Sequence, residues 1–264
     1  MNEIDQFSKD RSGTGTNEWA EIKHNIQKGC PHGCLYCYAC ESALRYKRIS
    51  SREEWLTETI NLNAVNKKWG KRDGVIMFPT THDITPTNLD ACVTTLANML
   101  VMGNKVLIVS KPHLSCIQRL CADLEHWKEQ ILFRFTIGSL DTGTCSFWEP
   151  GAPPPWERYL ALEHASSQGF QTSVSMEPML EGCREAVVTF EMVKKYVTET
   201  VWIGKMNKMK TRVDMTNPGN KVMVEDLKYQ QRDESILKLV ERLKDEPKVR
   251  WKDSIKAVMK QYSD

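Results

Sequence analysis

Short apolar runs alternate with amphipathic helical patterns along most of this chain, and that alternation limits the folds open to it. Runs of this kind, separated by helices, are typical of buried parallel strands. About six strand–helix units predict an open sheet or a barrel, and their length favours a partial (β/α)6 barrel. The predicted strands cover residues 25–28, 74–78, 105–109, 132–137, 170–176 and 200–203.

The helical patterns fall between these strands. Ser51 and Glu54 form a capping box that predicts a helix from there to about Trp69. Residues around Trp251 are predicted to form a basic C-terminal helix, so the fold class is α/β with a C-terminal helical extension. The expected domains are a lead-in over 1–24, a barrel over 25–205, and a basic loop with helices over 206–264. Further predicted helices lie near residues 89–100, 114–124, 156–167, 186–197 and 236–243.

Charge and apolar content exclude several classes of protein. The 36 Lys and Arg residues against 34 Asp and Glu leave a net charge of +2, too weak for a histone-like nucleic-acid binder. No apolar run approaches the length of a membrane span, and no secretory signal is present, so we expect a cytoplasmic protein without a membrane partner. Nine cysteines form a poor disulfide framework, and in a reducing compartment clustered thiols indicate metal or redox chemistry.

The cysteines cluster in one short stretch. Cys30, Cys34 and Cys37 have C-x3-C-x2-C spacing, and three thiolates on one tight loop suit three irons of a [4Fe–4S] cluster. The fourth iron then keeps an open position, as a catalytic metal requires. A zinc site would lack a second well-spaced pair. A ferredoxin-like site with Cys40 as fourth ligand would close the cluster and leave only electron transfer.

This spacing, with the aromatic Tyr36 just before the third cysteine, resembles the radical S-adenosylmethionine superfamily. The resemblance implies that the open iron binds S-adenosylmethionine. The reduced cluster then donates an electron, and a 5′-deoxyadenosyl radical abstracts hydrogen from a substrate. It also implies a partial barrel with the cysteine loop after the first strand, a shielding role for Tyr36, and an electron donor such as flavodoxin or ferredoxin.

Further residues are similar to the spore photoproduct lyase-like branch, among them residues 25–30 and 37–39. That likeness implies that Lys111, after the third strand, and Thr136, or nearby Ser139, contact S-adenosylmethionine. Lys111 as a surface cation is the alternative. Glu177, after the fifth predicted strand, is a candidate for binding a substrate amine or the ribose; the alternative is an ion pair with Lys111 or Lys205.

The lyase-like branch also uses a cysteine beyond the barrel as a hydrogen donor. The candidates here are Cys145 and Cys183, and Cys145 is the better placed because it follows the fourth predicted strand. A thiol there would quench a substrate radical, or it would be inert. The neighbours His82 and Asp83, after the second predicted strand, are candidates for a cofactor or substrate contact.

A basic segment follows the last predicted barrel strand. Lys205, Lys208, Lys210 and Arg212 place four cations within eight residues, a pattern that favours phosphate contacts. We therefore expect a nucleotide or nucleic-acid substrate, while a solvated charged loop explains the segment equally well. A radical enzyme for a peptide or small metabolite, and a non-catalytic Fe–S or zinc nucleic-acid-binding protein, remain alternatives.

Overall fold

A computed structural model describes Phe7 and residues 13–262. Seven parallel strands form one sheet in the order β1-β4-β5-β6-β7-β8-β9, so consecutive strands of the sheet lie side by side. A separate antiparallel pair joins β2 to β3. The strands are β1 (Ile22–Lys23), β2 (Gln27–Lys28), β3 (Thr59–Ile60), β4 (Val75–Phe78), β5 (Lys105–Ser110), β6 (Ile131–Thr136), β7 (Gln171–Met176), β8 (Val201–Ile203) and β9 (Val249–Trp251).

Helices connect the parallel strands, which confirms the predicted α/β class. The sheet has β1 and β9 as its edges, the arrangement of a partial barrel. Short 3-10 turns lie at Gly15–Glu18, Glu125–Gln130 and Lys194–Tyr196. The helices are α1 (Tyr38–Arg45), α2 (Arg52–Trp55), α3 (Leu62–Val65), α4 (Leu89–Leu100), α5 (Leu114–Asp123), α6 (Thr142–Trp148), α7 (Pro155–Ser167), α8 (Cys183–Val193), α9 (Met209–Arg212), α10 (Pro218–Gln230), α11 (Asp233–Leu243) and α12 (Asp253–Gln261).

Both faces of the sheet are buried, as the continuous apolar runs predict. Alternate strand residues such as Ile108 and Phe133 pack against the helices in the main hydrophobic core. The intervening residues, including Met77 and Leu107, point to the other face and pack with Trp19. No helix within the described residues is long and apolar enough to cross a membrane.

The strand predicted at residues 25–28 is present only as Gln27–Lys28, and it belongs to the antiparallel pair rather than to the parallel sheet. The strand that pairs with β4 is Ile22–Lys23, and Asn25 has already left the sheet. The Asn25 Oδ1 accepts hydrogen bonds from the backbone N–H groups of Thr80, at 2.7 Å, and Thr81, at 2.9 Å. This side chain therefore ties the start of the cysteine loop to the end of β4, which no strand pattern could reveal.

The helix predicted from Ser51 to Trp69 is broken in the structure. Its capping box is present, since the Ser51 hydroxyl accepts from the Glu54 backbone N–H at 3.4 Å, but α2 ends at Trp55. β3 follows, and Asn61 then caps the separate helix α3 by accepting from two backbone N–H groups. The chain pairs as β3 with β2 instead of continuing the helix.

The C-terminal segment around Trp251 is a strand, not the predicted helix. β9 pairs in parallel with β8, and the Lys252 backbone N–H donates to the Ile203 oxygen at 2.9 Å. The run has only three residues and a charged residue at its centre, as is common at a sheet edge, so it lacks the longer apolar pattern of the inner strands. The parallel sheet thus includes β1 and β9, which lie outside the predicted barrel limits of 25–205. The division into domains is still a prediction.

Lys252 is fully buried at this edge and holds the 3-10 turn Gly15–Glu18 in place. Its ammonium group donates to the Gly15 oxygen at 2.7 Å, pairs with the buried Glu18, and lies 3.3 Å from Glu177 Oε2. It also lies 4.4 Å from the Trp19 ring centroid. A buried charge needs such partners, because burying it unpaired is costly.

We predict that Lys252→Met lowers the free energy of unfolding by about 3–5 kcal/mol, because Glu18 stays buried without its main partner. Lys256→Met is the matched control: Lys256 also contacts Glu18, at 3.2 Å, but is 58% exposed, so its loss should cost less than about 1 kcal/mol. Urea unfolding measures both values. Equal losses for the two variants would contradict the role given to Lys252.

Candidate active site at the carboxyl ends of the strands

A cavity of about 350 Å³ opens where the parallel strands end. Chemistry in barrels of parallel strands is located at this end. Most of the predicted site residues line it: Cys30, Cys34, Tyr36, Cys37, Lys111, Thr136 and Glu177. Ser139 and Cys145 are not among the lining residues.

The cysteine loop is fixed through its backbone. Gly29 has φ +88°, and a Cβ there would lie 2.0 Å from the Thr57 oxygen, so only glycine fits. Next to it, the Cys30 N–H donates to the Trp55 oxygen at 2.8 Å. Farther along, the Leu35 N–H donates to the Trp148 oxygen at 2.9 Å. These bonds make the position of the thiols independent of any bound metal.

Cys37 ends the loop and starts the next helix. It is the N-cap of α1, and its sulfur accepts from the Cys40 backbone N–H at 3.4 Å. Cys40 itself is buried in the helix and packs with Ala43 and Trp55, away from the cavity lining. The alternative in which Cys40 is a fourth ligand therefore receives no support from its position.

Burial shifts the pKa values of the cysteine thiols. It raises the pKa of Cys30 to about 12, with a further increase from the Asp83 carboxylate. It also raises the pKa of Cys34 well above its usual range, although Lys111 opposes the shift. Thiolates are the form that binds metal, so binding must release these protons.

Asp83 connects the loop to the sheet. It accepts from His32 Nδ1 at 2.9 Å, from the Lys111 backbone N–H at 2.7 Å and from the Ser110 hydroxyl at 3.1 Å. Cys30 Sγ lies 3.8 Å away. Burial alone would raise the Asp83 pKa, but Lys111 and His32 hold it well below its usual range. Asp83 is thus a charged acceptor, and both it and His82 line the cavity as predicted contacts should.

Lys111 is buried rather than a surface cation. Its ammonium group lies 3.9 Å from Asp83 and 3.8 Å from Glu149, and it faces the Tyr36 ring at 5.7 Å. Burial would lower the pKa of Lys111, but the negative forms of Cys34 and Tyr36, with the two carboxylates, raise it well above its usual range. Lys111 therefore stays protonated, with two carboxylates beside it.

Glu149 and Arg158 complete this buried network, and the sequence analysis did not select them. The Tyr36 hydroxyl donates to Glu149 Oε1, and Arg158 pairs with Glu149 Oε2. Arg158 is fully buried within α7, among Ala161 and Leu162. An arginine on the apolar face of a predicted helix was the available signal, because such a cation needs a buried acid.

The remaining predicted site residues differ in their position relative to the cavity. Thr136 lines the cavity at the end of β6. Ser139 is buried, donates to Glu181 and accepts from the Asp141 N–H at 2.8 Å. Glu177 pairs with Lys252 rather than with Lys111 or Lys205. Burial raises the pKa of Glu177, and Lys252 opposes that shift.

Cys145 lies in α6 beneath the loop. Its sulfur donates to the Ser139 oxygen at 3.6 Å, and it shares a buried cluster with Tyr36 and Trp148. Burial raises its pKa to about 12, so the thiol keeps its hydrogen at neutral pH. Its role as a hydrogen donor stays a prediction.

The basic segment divides into two parts. Lys205 and Arg212 line the cavity, together with Asn207 between them. Lys208 and Lys210 are exposed and are not among the lining residues. Only part of the predicted basic patch therefore faces the cysteines.

The donor set fits an iron–sulfur cluster with a small organic ligand beside it. Three soft thiol ligands come from one fixed loop, and the same cavity offers a buried cation, a hydroxyl and a carboxylate. Within the described residues, Cys30, His32 and Asp83 place ligand atoms within 4.8 Å of one another, a spacing suited to a single ion. Thiolates on separate irons of a cubane lie farther apart than the ligands of a single ion, so this grouping does not test the cluster.

No family model matches the sequence. Its curated relative is the uncharacterized protein ORF301 of Acidianus two-tailed virus, 26% identical over 166 residues. The match covers 59% of this chain and 54% of the relative, so the chain spans about half the length of the curated relative that it matches.

Solved structures give a broader likeness. A spore photoproduct lyase variant with dinucleoside spore photoproduct has a TM-score of 0.55 at 12% identity, covering 92% of this chain and 78% of that one. A second variant, with bound AdoMet and the same photoproduct, has a TM-score of 0.52 at 12% identity, covering 96% and 76%. SuiB of Streptococcus suis has a TM-score of 0.50 at 9% identity, covering 91% and 50%. The chain therefore shares the partial-barrel fold of these radical SAM proteins.

We predict that Gly29→Ala lowers the free energy of unfolding by about 2 kcal/mol or more, because its Cβ meets backbone and its φ is positive. Gly70→Ala is the control, since nothing lies within 4 Å of its Cβ position. Urea unfolding under anaerobic conditions measures both. A Gly29 variant as stable as the control would show that the loop is not fixed at this residue.

Proposed function

We propose that this chain is a radical S-adenosylmethionine enzyme in which Cys30, Cys34 and Cys37 hold a [4Fe–4S] cluster. The observation that carries the proposal is the common cavity: three thiols of C-x3-C-x2-C spacing face Lys111, Thr136 and Glu177 at the end of a parallel sheet. The shared fold with structures that include an AdoMet complex supports it.

The bound cluster would supply the electron that cleaves S-adenosylmethionine and yields a 5′-deoxyadenosyl radical. The chain's own residues bind and orient the cofactor. Lys111 offers a fixed cation for the methionyl carboxylate, and Thr136 offers a hydroxyl within the same wall. Glu177 offers a carboxylate for the ribose or a substrate amine. Ser139 would act only by supporting the loop after β6, given its bond to Glu181.

The walls of the cavity also exclude water, which protects a reactive radical from side reactions. Trp55, Met77 and Val109 contribute apolar surface to the lining. Tyr36 is buried beside Cys34 and is held by Glu149, a position that shields the thiols from solvent. Cys145, a protonated buried thiol behind Tyr36, is the proposed source of a quenching hydrogen.

The proposed substrate is a nucleotide or nucleic acid, because Lys205 and Arg212 line the cavity. The dinucleoside photoproduct in the similar lyase structures is in line with that class. The proposal includes a one-electron donor such as flavodoxin or ferredoxin. It also includes a cytoplasmic location, which the nine free cysteines favour.

We predict that anaerobic reconstitution gives about four irons per chain and that dithionite with S-adenosylmethionine then yields 5′-deoxyadenosine. Cys30→Ala should abolish both, because one iron loses its ligand. Cys40→Ala is the matched control and should keep both. Iron analysis and chromatography of the nucleoside products measure the outcome.

An intact cluster without 5′-deoxyadenosine would contradict the enzyme assignment and favour a non-catalytic Fe–S protein. Loss of the cluster in the Cys40 variant would instead favour a four-cysteine, ferredoxin-like site. Zinc in place of iron would contradict the cluster itself.

Thr136→Val should raise the dissociation constant for S-adenosylmethionine about three- to tenfold, because an isosteric methyl removes one hydrogen bond from a dry site. Thr94→Val, at an exposed position of α4, should leave it unchanged. Equilibrium dialysis of the reconstituted proteins gives the constants. Identical constants for the two variants would remove Thr136 from the cofactor site.

A further inference from the structure

Arg212 differs from the other cations that line the cavity. Lys111 has Asp83 and Glu149 beside it, and Lys205 pairs with Asp233 at 3.2 Å. The Nε of Arg212 is buried and has no hydrogen-bond partner within the described chain. No carboxylate among residues 13–262 is recorded within ion-pair distance of its guanidinium group.

The acidic groups of the lining do not compensate this charge. Asp83 is matched by His32 and Lys111, and Glu177 by Lys252. A guanidinium cannot lose its proton at ordinary pH, so it cannot escape the cost of burial by becoming neutral. The cavity therefore retains a positive charge at Arg212 that an anionic ligand would satisfy.

The backbone that carries Arg212 is anchored to the cysteine loop. Arg52 donates through Nη2 to the Arg212 oxygen and through Nη1 to the Leu35 oxygen at 3.4 Å. The neighbouring side chains of Met209 and Val213 are buried in the same cluster as Cys34. The backbone at Arg212 is therefore held in place relative to the cysteine loop, which reduces part of the entropy lost when the side chain binds a ligand.

We propose that Arg212, with Asn207 of the same cavity lining, binds a phosphate of the nucleotide substrate and so sets which part of that substrate enters the cavity. This inference rests on the proposed function, because the bound nucleotide would be the substrate of the radical reaction proposed above. A guanidinium fork matches phosphate oxygens in a bidentate geometry, and the Asn207 amide adds a further donor. Lys208 and Lys210 are outside this site, because they do not line the cavity.

The phosphate that Arg212 would bind belongs to one of two kinds of ligand. These are a free nucleotide and one residue of a single strand. Both carry the same phosphate chemistry, and the choice between them is an outcome of the test.

The test measures binding to the full-length reconstituted protein by fluorescence anisotropy and by competition. The probes are a labelled single-stranded pentanucleotide, the same sequence with neutral methylphosphonate linkages, and 5′-adenosine monophosphate as competitor. Arg212→Met should weaken binding of the charged pentanucleotide about tenfold or more, because a charge-assisted contact is lost. Binding of the neutral strand should be unchanged by the substitution, and Arg212→Lys should give an intermediate affinity.

Arg242→Met is the matched control, an exposed arginine of α11 that does not line the cavity, and it should bind as the original protein does. If 5′-adenosine monophosphate competes with an affinity similar to that of the charged pentanucleotide, the site binds free nucleotides. If it does not compete, the site binds a single strand. No binding of either charged probe, or an equal loss for charged and neutral strands, would overturn the proposal.

The carboxylate of S-adenosylmethionine is the competing anion. Equilibrium dialysis with this compound should give the same constant for Arg212→Met and the original protein. A raised constant with unchanged pentanucleotide binding would overturn the inference and move Arg212 to the cofactor site. The proposed function has its own readout: absence of 5′-deoxyadenosine from the original protein defeats it without changing the binding result.

Discussion

The buried carboxylate of Asp83 joins the cysteine loop to the sheet. On one side it binds His32 from the loop, and on the other it binds Ser110 and the Lys111 backbone at the end of β5. Because these bonds are charge-assisted and dry, they fix two separate chain segments relative to each other. Asp83 therefore helps to set the distance between the thiols and the strand ends, together with the Asn25 side chain and the backbone bonds of the loop.

A second buried network extends this framework. Glu149, at the end of α6, binds Tyr36 and Arg158 and lies near Lys111. From the loop to α7, the carboxylates of Asp83 and Glu149 alternate with the cations of Lys111 and Arg158, so each charge of this network has a partner. Such networks add little net stability compared with an apolar core, but they define one geometry. The proposed radical reaction would require such a geometry, since a small misplacement of the reacting atoms lowers the rate.

The inner strands could be predicted well from the sequence, because β4, β5, β6 and β8 are short, mainly apolar runs between helical patterns, and β7 lies between two more such helices. It failed at the sheet edges. β1 and β9 are short and partly polar, and edge pairing is decided by neighbours distant in sequence. It failed again after Ser51, where pairing of β3 with β2 interrupts a good helical pattern.

The spacing of Cys30, Cys34 and Cys37 by itself determined the metal chemistry to expect, because a short loop can present three thiols only to a common centre. Tertiary structure decided which other residues face that centre. It turned Lys111 inward, paired Glu177 with Lys252, left Ser139 and Cys145 behind the wall, and separated Arg212 from Lys208 and Lys210. Local patterns record which residues are polar, but which charges meet depends on the folded path of segments far apart in the chain.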